Sequence, residues 1–101
     1  MEVVLFHIRT REDIDVGEYE RAFAHMLECV SEISGFVSIQ GFAGEDGSEL
    51  AVALFEDAAA IEQWRIHPEH ARMRERGRDE FFETYEIRIA TSWKHYSWAR
   101  P

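Results

Sequence analysis

The residue types able to do chemistry in this chain gather in one short stretch, Trp64-Arg65-Ile66-His67-Pro68-Glu69-His70. Histidine is the side chain that holds a proton acceptor near neutrality, so of the pair His67 and His70 the second is a candidate general base. Their His-x-x-His spacing also suits two metal ligands on one helix face, but no third ligand has a fitting spacing. Proline suits the first turn of a helix. Pro68 therefore makes His67 the capping residue and leaves His70 to point inward. Trp64 offers a flat wall for an aromatic ligand, or a side chain that simply fills the core. A further histidine, His7, lies inside the apolar run Glu2–Arg9, on one face with Val3 and Leu5. If that face meets the helices, His7 is a second candidate base; otherwise it is a core histidine bonded to backbone. His25 and Cys29 stand four apart on one helix, a spacing open to a nucleophile pair, yet both flank the core stripe. No GxGxxG, phosphate loop, HExxH or GxSxG motif is present.

Composition narrows the partners. The chain has 101 residues, 46% hydrophobic and 31% charged, which suits one globular domain spanning residues 1–101. A net charge of −9 repels nucleic-acid phosphates and anionic lipid surfaces, so neither is an expected partner. A single cysteine, Cys29, rules out an internal disulfide framework and a cysteine-rich zinc site. No apolar run approaches the roughly 20 residues that span a bilayer. The opening Met-Glu-Val-Val-Leu-Phe-His-Ile-Arg lacks the marks of an export leader, and the cytoplasm is the expected compartment. Thirteen per cent of the residues are aromatic, which calls for a dense core or an aromatic-lined cavity.

These side chains need elements to carry them. Residues 2–9 read as a strand. Tyr19, Ala22, Phe23, Met26, Leu27, Val30 and Ile33 recur at helical spacing, with Asp15 as N-cap, Glu18 completing a capping box and Gly35 closing the helix. Strands over 36–43 and 48–55 flank the turn Gly44-Glu45-Asp46-Gly47. Asp57 caps a helix over 58–66, and a third helix runs from Pro68 to Phe82, with His70, Met73, Gly77 and Phe81 inside and Arg74 among its solvated charges. A last strand covers 84–93, followed by a tail. The order β-α-β-β-α-β, its second helical unit broken in two, predicts an α+β, ferredoxin-like split βαβ fold with an antiparallel sheet. Val4, Phe6 and Ile8 alternate with Val3 and Leu5, and Ala51, Ala53 and Phe55 with Leu50, Val52 and Leu54. Apolar residues on both faces predict a sheet covered twice, by helices and by a second copy of the chain, with Trp93–Trp98 clasping the partner.

Residues 55–89, with Trp64-x-x-His67-Pro68-x-His70, the Gly77-Arg78 step, the Phe81-Phe82 pair and the final strand, resemble the antibiotic biosynthesis monooxygenase family. The first strand and Gly35-Phe36-Val37-Ser38-Ile39-Gln40 fit it as well. The resemblance implies a dimeric α/β barrel. It also implies cofactor-independent oxygenation of a phenol or quinol with O₂, with Trp64 matching the family's active-site tryptophan. His70 stands where aromatic-polyketide oxygenases carry a tyrosine, and Ala60 where they carry an asparagine. Arg74 stands where the haem-degrading members have their iron-ligating histidine, and His7 where they have an asparagine. The resemblance thus favours no metal and no organic cofactor. In this scheme His7, Trp64 and His70 are the catalytic candidates, with His7 or His70 as base, and Tyr85 and Arg88 support the substrate. A cavity between helices and sheet is expected to gather His7, Trp64 and His70. The alternatives are a non-catalytic binding or stress-response protein of the same fold and, behind it, a haem degrader.

Overall fold

The computed structural model describes residues 1–101. Its elements follow the order β1 (Glu2–Thr10), α1 (Val16–Ser31), β2 (Phe36–Ala43), β3 (Glu49–Phe55), α2 (Ala58–Arg65), α3 (Pro68–Arg76), a π turn (Gly77–Phe81) and β4 (Phe82–Thr91). The four strands form one antiparallel sheet in the order β2-β3-β1-β4, with the helices on one face. This is the ferredoxin-like α+β architecture expected from the element order.

Local chemistry sets the helix starts. Asp15 accepts the Glu18 N–H at 3.1 Å and Asp57 accepts the Ala60 N–H at 2.9 Å. At the third start His67 is the cap, its Nδ1 accepting the Glu69 N–H at 3.1 Å. The capping box at α1 is only half made. The Glu18 carboxylate turns away from the backbone to Arg21 at 2.7 Å and Arg76 at 2.6 Å, tying α1 to α3. After α1 the chain reverses through Gly35, whose φ of +92° is costly for any residue with a Cβ. A Cβ there would also stand 2.8 Å from that of Ala60, so α2 packs directly over the turn.

The core lies between helices and sheet. Val30 of α1, Ala53 and Phe55 of β3 and Ala60 of α2 form its buried centre, with Val4, Ile39 and Trp64 among the side chains packed around it. Phe55 meets Phe36 edge to face at 5.6 Å. Register places Val4, Phe6 and Ile8 on this side, paired across β4 with Ile89, Ile87 and Tyr85. Val3, Leu5 and His7, with Leu50, Val52 and Leu54 of β3, face away.

The third helical segment differs from the expectation. It ends as an α-helix at Arg76 and widens into the π turn, so β4 begins at Phe82 and ends at Thr91 instead of covering 84–93. Gly77 permits this: any Cβ there would run into the Phe82 ring, so the wide turn closes onto that ring. The freed carbonyls need donors. Arg11, in the loop after β1, supplies them: its guanidinium donates to the carbonyls of Phe82 (3.2 Å), Asp79 (2.8 Å) and Arg78. Its own N–H donates to the Phe81 carbonyl at 2.8 Å. Arg11→Ala is expected to destabilise the protein by about 1–3 kcal/mol, as charge-assisted hydrogen bonds of this kind do. The check is the midpoint of urea unfolding; an unmoved midpoint would show that water replaces the guanidinium without loss.

Candidate functional site

Between the helices and the sheet lies a cavity of about 260 Å³. Its walls are mostly apolar: Val4 and Phe6 from β1, Ala51 from β3, Met26 from α1 and Ile87 from β4 contribute. A small number of polar tips project into it, which is the make-up of a small-molecule site. They come from Tyr19, Trp64, Arg65, His70, Arg74 and Tyr85.

His70 is the best-placed proton acceptor. Its ring stacks on Trp64, with centroids 4.3 Å apart and planes 13° from parallel. Its Nδ1 lies 3.0 Å from the Trp64 carbonyl oxygen. A carbonyl only accepts, so Nδ1 carries the proton and donates it. The neutral ring then holds its lone pair on Nε2. Burial pushes the His70 pKa below the ordinary 6.5; the Nδ1 hydrogen bond works against that shift, while nearby Arg74 and His67 add to it. The neutral imidazole therefore prevails at pH 7. Any turnover that uses it should be level above neutrality and should fall as pH drops through a value below 6.5. A rate profile that instead climbs with a midpoint above 7 would remove His70 as the base.

Three of the other polar groups have partners. The Tyr19 hydroxyl donates to the Glu49 carboxylate at 3.0 Å. Burial and that carboxylate hold its pKa well above the ordinary 10, so Tyr19 stays neutral. The Tyr85 hydroxyl accepts from Arg78 Nε at 2.8 Å, and its ring packs edge to face on Phe6 at 5.7 Å. Arg65 is paired with Glu62. Tyr85 thus lies at the cavity wall, where the sequence expected it.

His7 and Arg88 do not. The cavity expected to gather His7, Trp64 and His70 holds only Trp64 and His70. His7 faces away from the helices and lines an open groove of about 410 Å³ on the far side of the sheet, with Leu5, Phe42, Leu50, Glu86 and Arg88. The cause is the pleat. Phe6 and Val4 pack toward the helices with Ala53 and Phe55, so their neighbours in β1 must point the other way. Both faces of β1 are apolar, and alternation alone could not say which one the helices cover.

His25 and Cys29 do not form a nucleophile pair. His25 Nε2 faces both Cys29 Sγ at 3.7 Å and Glu69 at 3.1 Å, so no second ring nitrogen links base to orienting acid. Burial, reinforced by surrounding glutamates, raises the thiol pKa. No three His, Cys, Asp or Glu side chains converge as a metal site. The sequence reading missed Tyr19 and Arg74. Each carries a helical-spacing signal: Tyr19 sits on the apolar stripe of α1, and Arg74 is one turn beyond His70 on the inner face of α3.

A split βαβ sheet with helices on one side, enclosing an apolar cavity with an imidazole at its wall, defines an α+β domain of the ferredoxin-like class. The family model for antibiotic biosynthesis monooxygenase matches residues 1–76, and the chain belongs to that family. The Bacillus subtilis protein YqjZ is 27% identical over 88 residues, covering 87% of this chain and 75% of YqjZ. SnoaB, a cofactor-independent oxygenase from Streptomyces nogalater, superposes with a TM-score of 0.77 at 18% identity, over 93% of this chain and 94% of SnoaB. Rv0793 from Mycobacterium tuberculosis superposes with a TM-score of 0.82 at 13% identity, over 95% and 98%. At these identities the superpositions establish the fold. No helix is long and apolar enough to cross a membrane.

Proposed function

We propose that this protein is a cofactor-independent monooxygenase that oxidises a phenol or quinol with O₂ in the cavity between helices and sheet. The observation that carries the reading is His70: a neutral imidazole stacked on Trp64, its proton fixed on Nδ1, its Nε2 free to accept another. Family membership and the likeness to SnoaB support it.

The chemistry needs little else. Ground-state O₂ is a triplet and reacts slowly with closed-shell molecules, but an electron-rich phenolate can give it an electron. His70 Nε2 takes the phenolic proton. The phenolate passes one electron to O₂, and the radical pair joins at a ring carbon as a peroxide, which takes the proton back from His70. Loss of the ring C–H proton with cleavage of the O–O bond gives a quinone and water. One oxygen atom enters the ring, the other leaves as water, and the substrate supplies every electron. Trp64 forms the wall that orients the ring, Tyr85 supports it, and the apolar lining keeps water out. A well-placed base contributes roughly 10²–10⁴-fold to such a step. Arg74, in the position of the haem degraders' iron ligand, has no lone pair to offer a metal. Substrate-dependent oxygen uptake by chelator-treated protein tests the reading. A protein that binds phenols in this cavity but consumes no oxygen would be a binding protein instead.

The working unit of this proposal is a homodimer joined through the far sheet faces. Leu5, Leu50, Val52 and Leu54 form an apolar face that no element of the chain covers. Beyond β4, Trp93, Tyr96 and Trp98 are 86%, 78% and 82% exposed, a run of aromatics with nothing of its own to pack on. A two-fold sheet-to-sheet contact would cover the face and give the tail a partner, burying on the order of 2,000 Å². Light scattering at micromolar concentration should give a mass near twice 11.8 kDa. A sharp monomer mass would contradict it.

A further inference from the structure

Arg74 stands apart from the other arginines. Arg9, Arg21, Arg65, Arg72, Arg76 and Arg88 are each paired with a carboxylate. Arg11 and Arg78 donate to backbone carbonyls and to the Tyr85 hydroxyl. Apart from Arg100 at the exposed end of the chain, this leaves only Arg74 with no hydrogen bond or ion pair. It does so although acids outnumber bases by twenty to eleven. Nor does it stand fully exposed: Arg74 is half-buried and lines the cavity one helical turn from His70. A charge at the wall of an apolar space without a counter-charge is costly unless something there completes it.

We infer that Arg74 is an oxyanion-binding residue, and that the ligand class of the cavity is an acidic hydroxyarene held as its conjugate base, the anionic oxygen against the Arg74 guanidinium. This rests on the reading of the cavity as the substrate site. The remaining groups around that oxygen leave the role to Arg74. On α2, Arg65 is neutralised by Glu62. On α1, the Tyr19 proton is committed to Glu49; on β4, the Tyr85 hydroxyl accepts from Arg78 and has only a neutral O–H to offer, no charge. On α3, His67 spends Nδ1 on its helix cap, and His70 is the neutral proton acceptor. No carboxylate lines the cavity to compete for the cation. When the proton moves to His70, the anion lies between two cations that would otherwise repel each other. The guanidinium thereby favours both the phenolate and the imidazolium that its formation creates. A planar guanidinium also gives two parallel donors to one oxygen or to a neighbouring pair, which sets the angle at which an ortho-oxygenated ring can lie.

The test uses three probes of one shape: para-nitrophenol, which ionises with a visible absorption change; its methyl ether para-nitroanisole, which cannot ionise; and para-nitrobenzoate, which carries a carboxylate. Bound to the native protein, para-nitrophenol should ionise at a pH lower than in buffer by about one unit, a tenfold preference for the anion. Arg74→Gln should abolish that shift and weaken phenolate binding about tenfold or more while leaving para-nitroanisole affinity unchanged. Arg74→Lys should restore part of the shift, and it keeps the test decisive should the Gln variant fold poorly. If para-nitroanisole binds but para-nitrophenol ionises alike in native and Arg74→Gln protein, the role of Arg74 is overturned while the cavity reading stands. If para-nitrobenzoate alone depends on Arg74, the anion recognised is a carboxylate and the hydroxyarene class is overturned. If none of the three binds, the cavity reading fails, and this inference with it.

Discussion

Replacing His70 with alanine is expected to lower phenol-dependent oxygen uptake by roughly 10²–10⁴-fold, the loss that follows removal of a positioned general base. The imidazole also fills space against Trp64, with which it stacks at 4.3 Å, so the variant opens the cavity as well as removing the base. Two measurements separate these effects. Affinity for a phenol methyl ether, which has no proton to lose, should change little. Activity should recover partly at high pH, where the substrate ionises without help. If the variant oxidises its substrate at the native rate at neutral pH, proton removal is not the task of His70. A fall in ether affinity as large as the fall in rate would reduce His70 to a packing residue.

Phe55→Ala should produce the largest change in stability. Phe55 is 1% exposed and is the largest fully buried side chain. Its ring packs on Phe36 at 5.6 Å and belongs to the cluster that joins α1, β3 and α2. Truncating a buried phenylalanine costs about 3–5 kcal/mol, the lost transfer energy plus a cavity that close packing cannot fill. Against the roughly 5–15 kcal/mol that holds a domain of this size together, this is a large fraction of the whole. Chemical denaturation should show a midpoint displaced far toward zero denaturant with a similar slope. A displacement no larger than that of a surface substitution would mean the cluster repacks around the gap. Because Phe55 also lines the cavity, its loss should loosen the site before the chain unfolds.

Much of this arrangement is legible in the residues. Alternation in β1 and β3, the helical spacing from Tyr19 to Ile33 and the turn at Gly44–Gly47 specify the split βαβ order, because each pattern has one secondary structure that buries its apolar set. Pro68 after His67 correctly indicates a helix start with His67 as cap and His70 turned inward. The chain does not reveal in its pattern which side of β1 meets the helices. Val3 and Leu5 are as apolar as Val4 and Phe6, and the choice depends on the fit of Phe6 and Phe55 against α1 and α2, a tertiary matter. His7 and Arg88 were lost to the site for this one reason. The π turn is equally hidden. It depends on contact between Gly77 and the Phe82 ring and on Arg11 reaching across from another loop. Arg74 looks like one of many charges on a solvated rod. What distinguishes it is the lack of a partner, and that is visible only when every other arginine has been placed.

Oxygen consumption by purified, chelator-treated protein, with isotopically labelled O₂ and a panel of phenols and hydroquinones, tests the central claim most directly. The account predicts substrate-dependent uptake, one O₂ consumed for each quinone formed, one labelled oxygen atom in the product, and a rate roughly 10²–10⁴-fold lower in His70→Ala at neutral pH. A phenol that occupies the cavity yet is oxidised no faster than in buffer would contradict it.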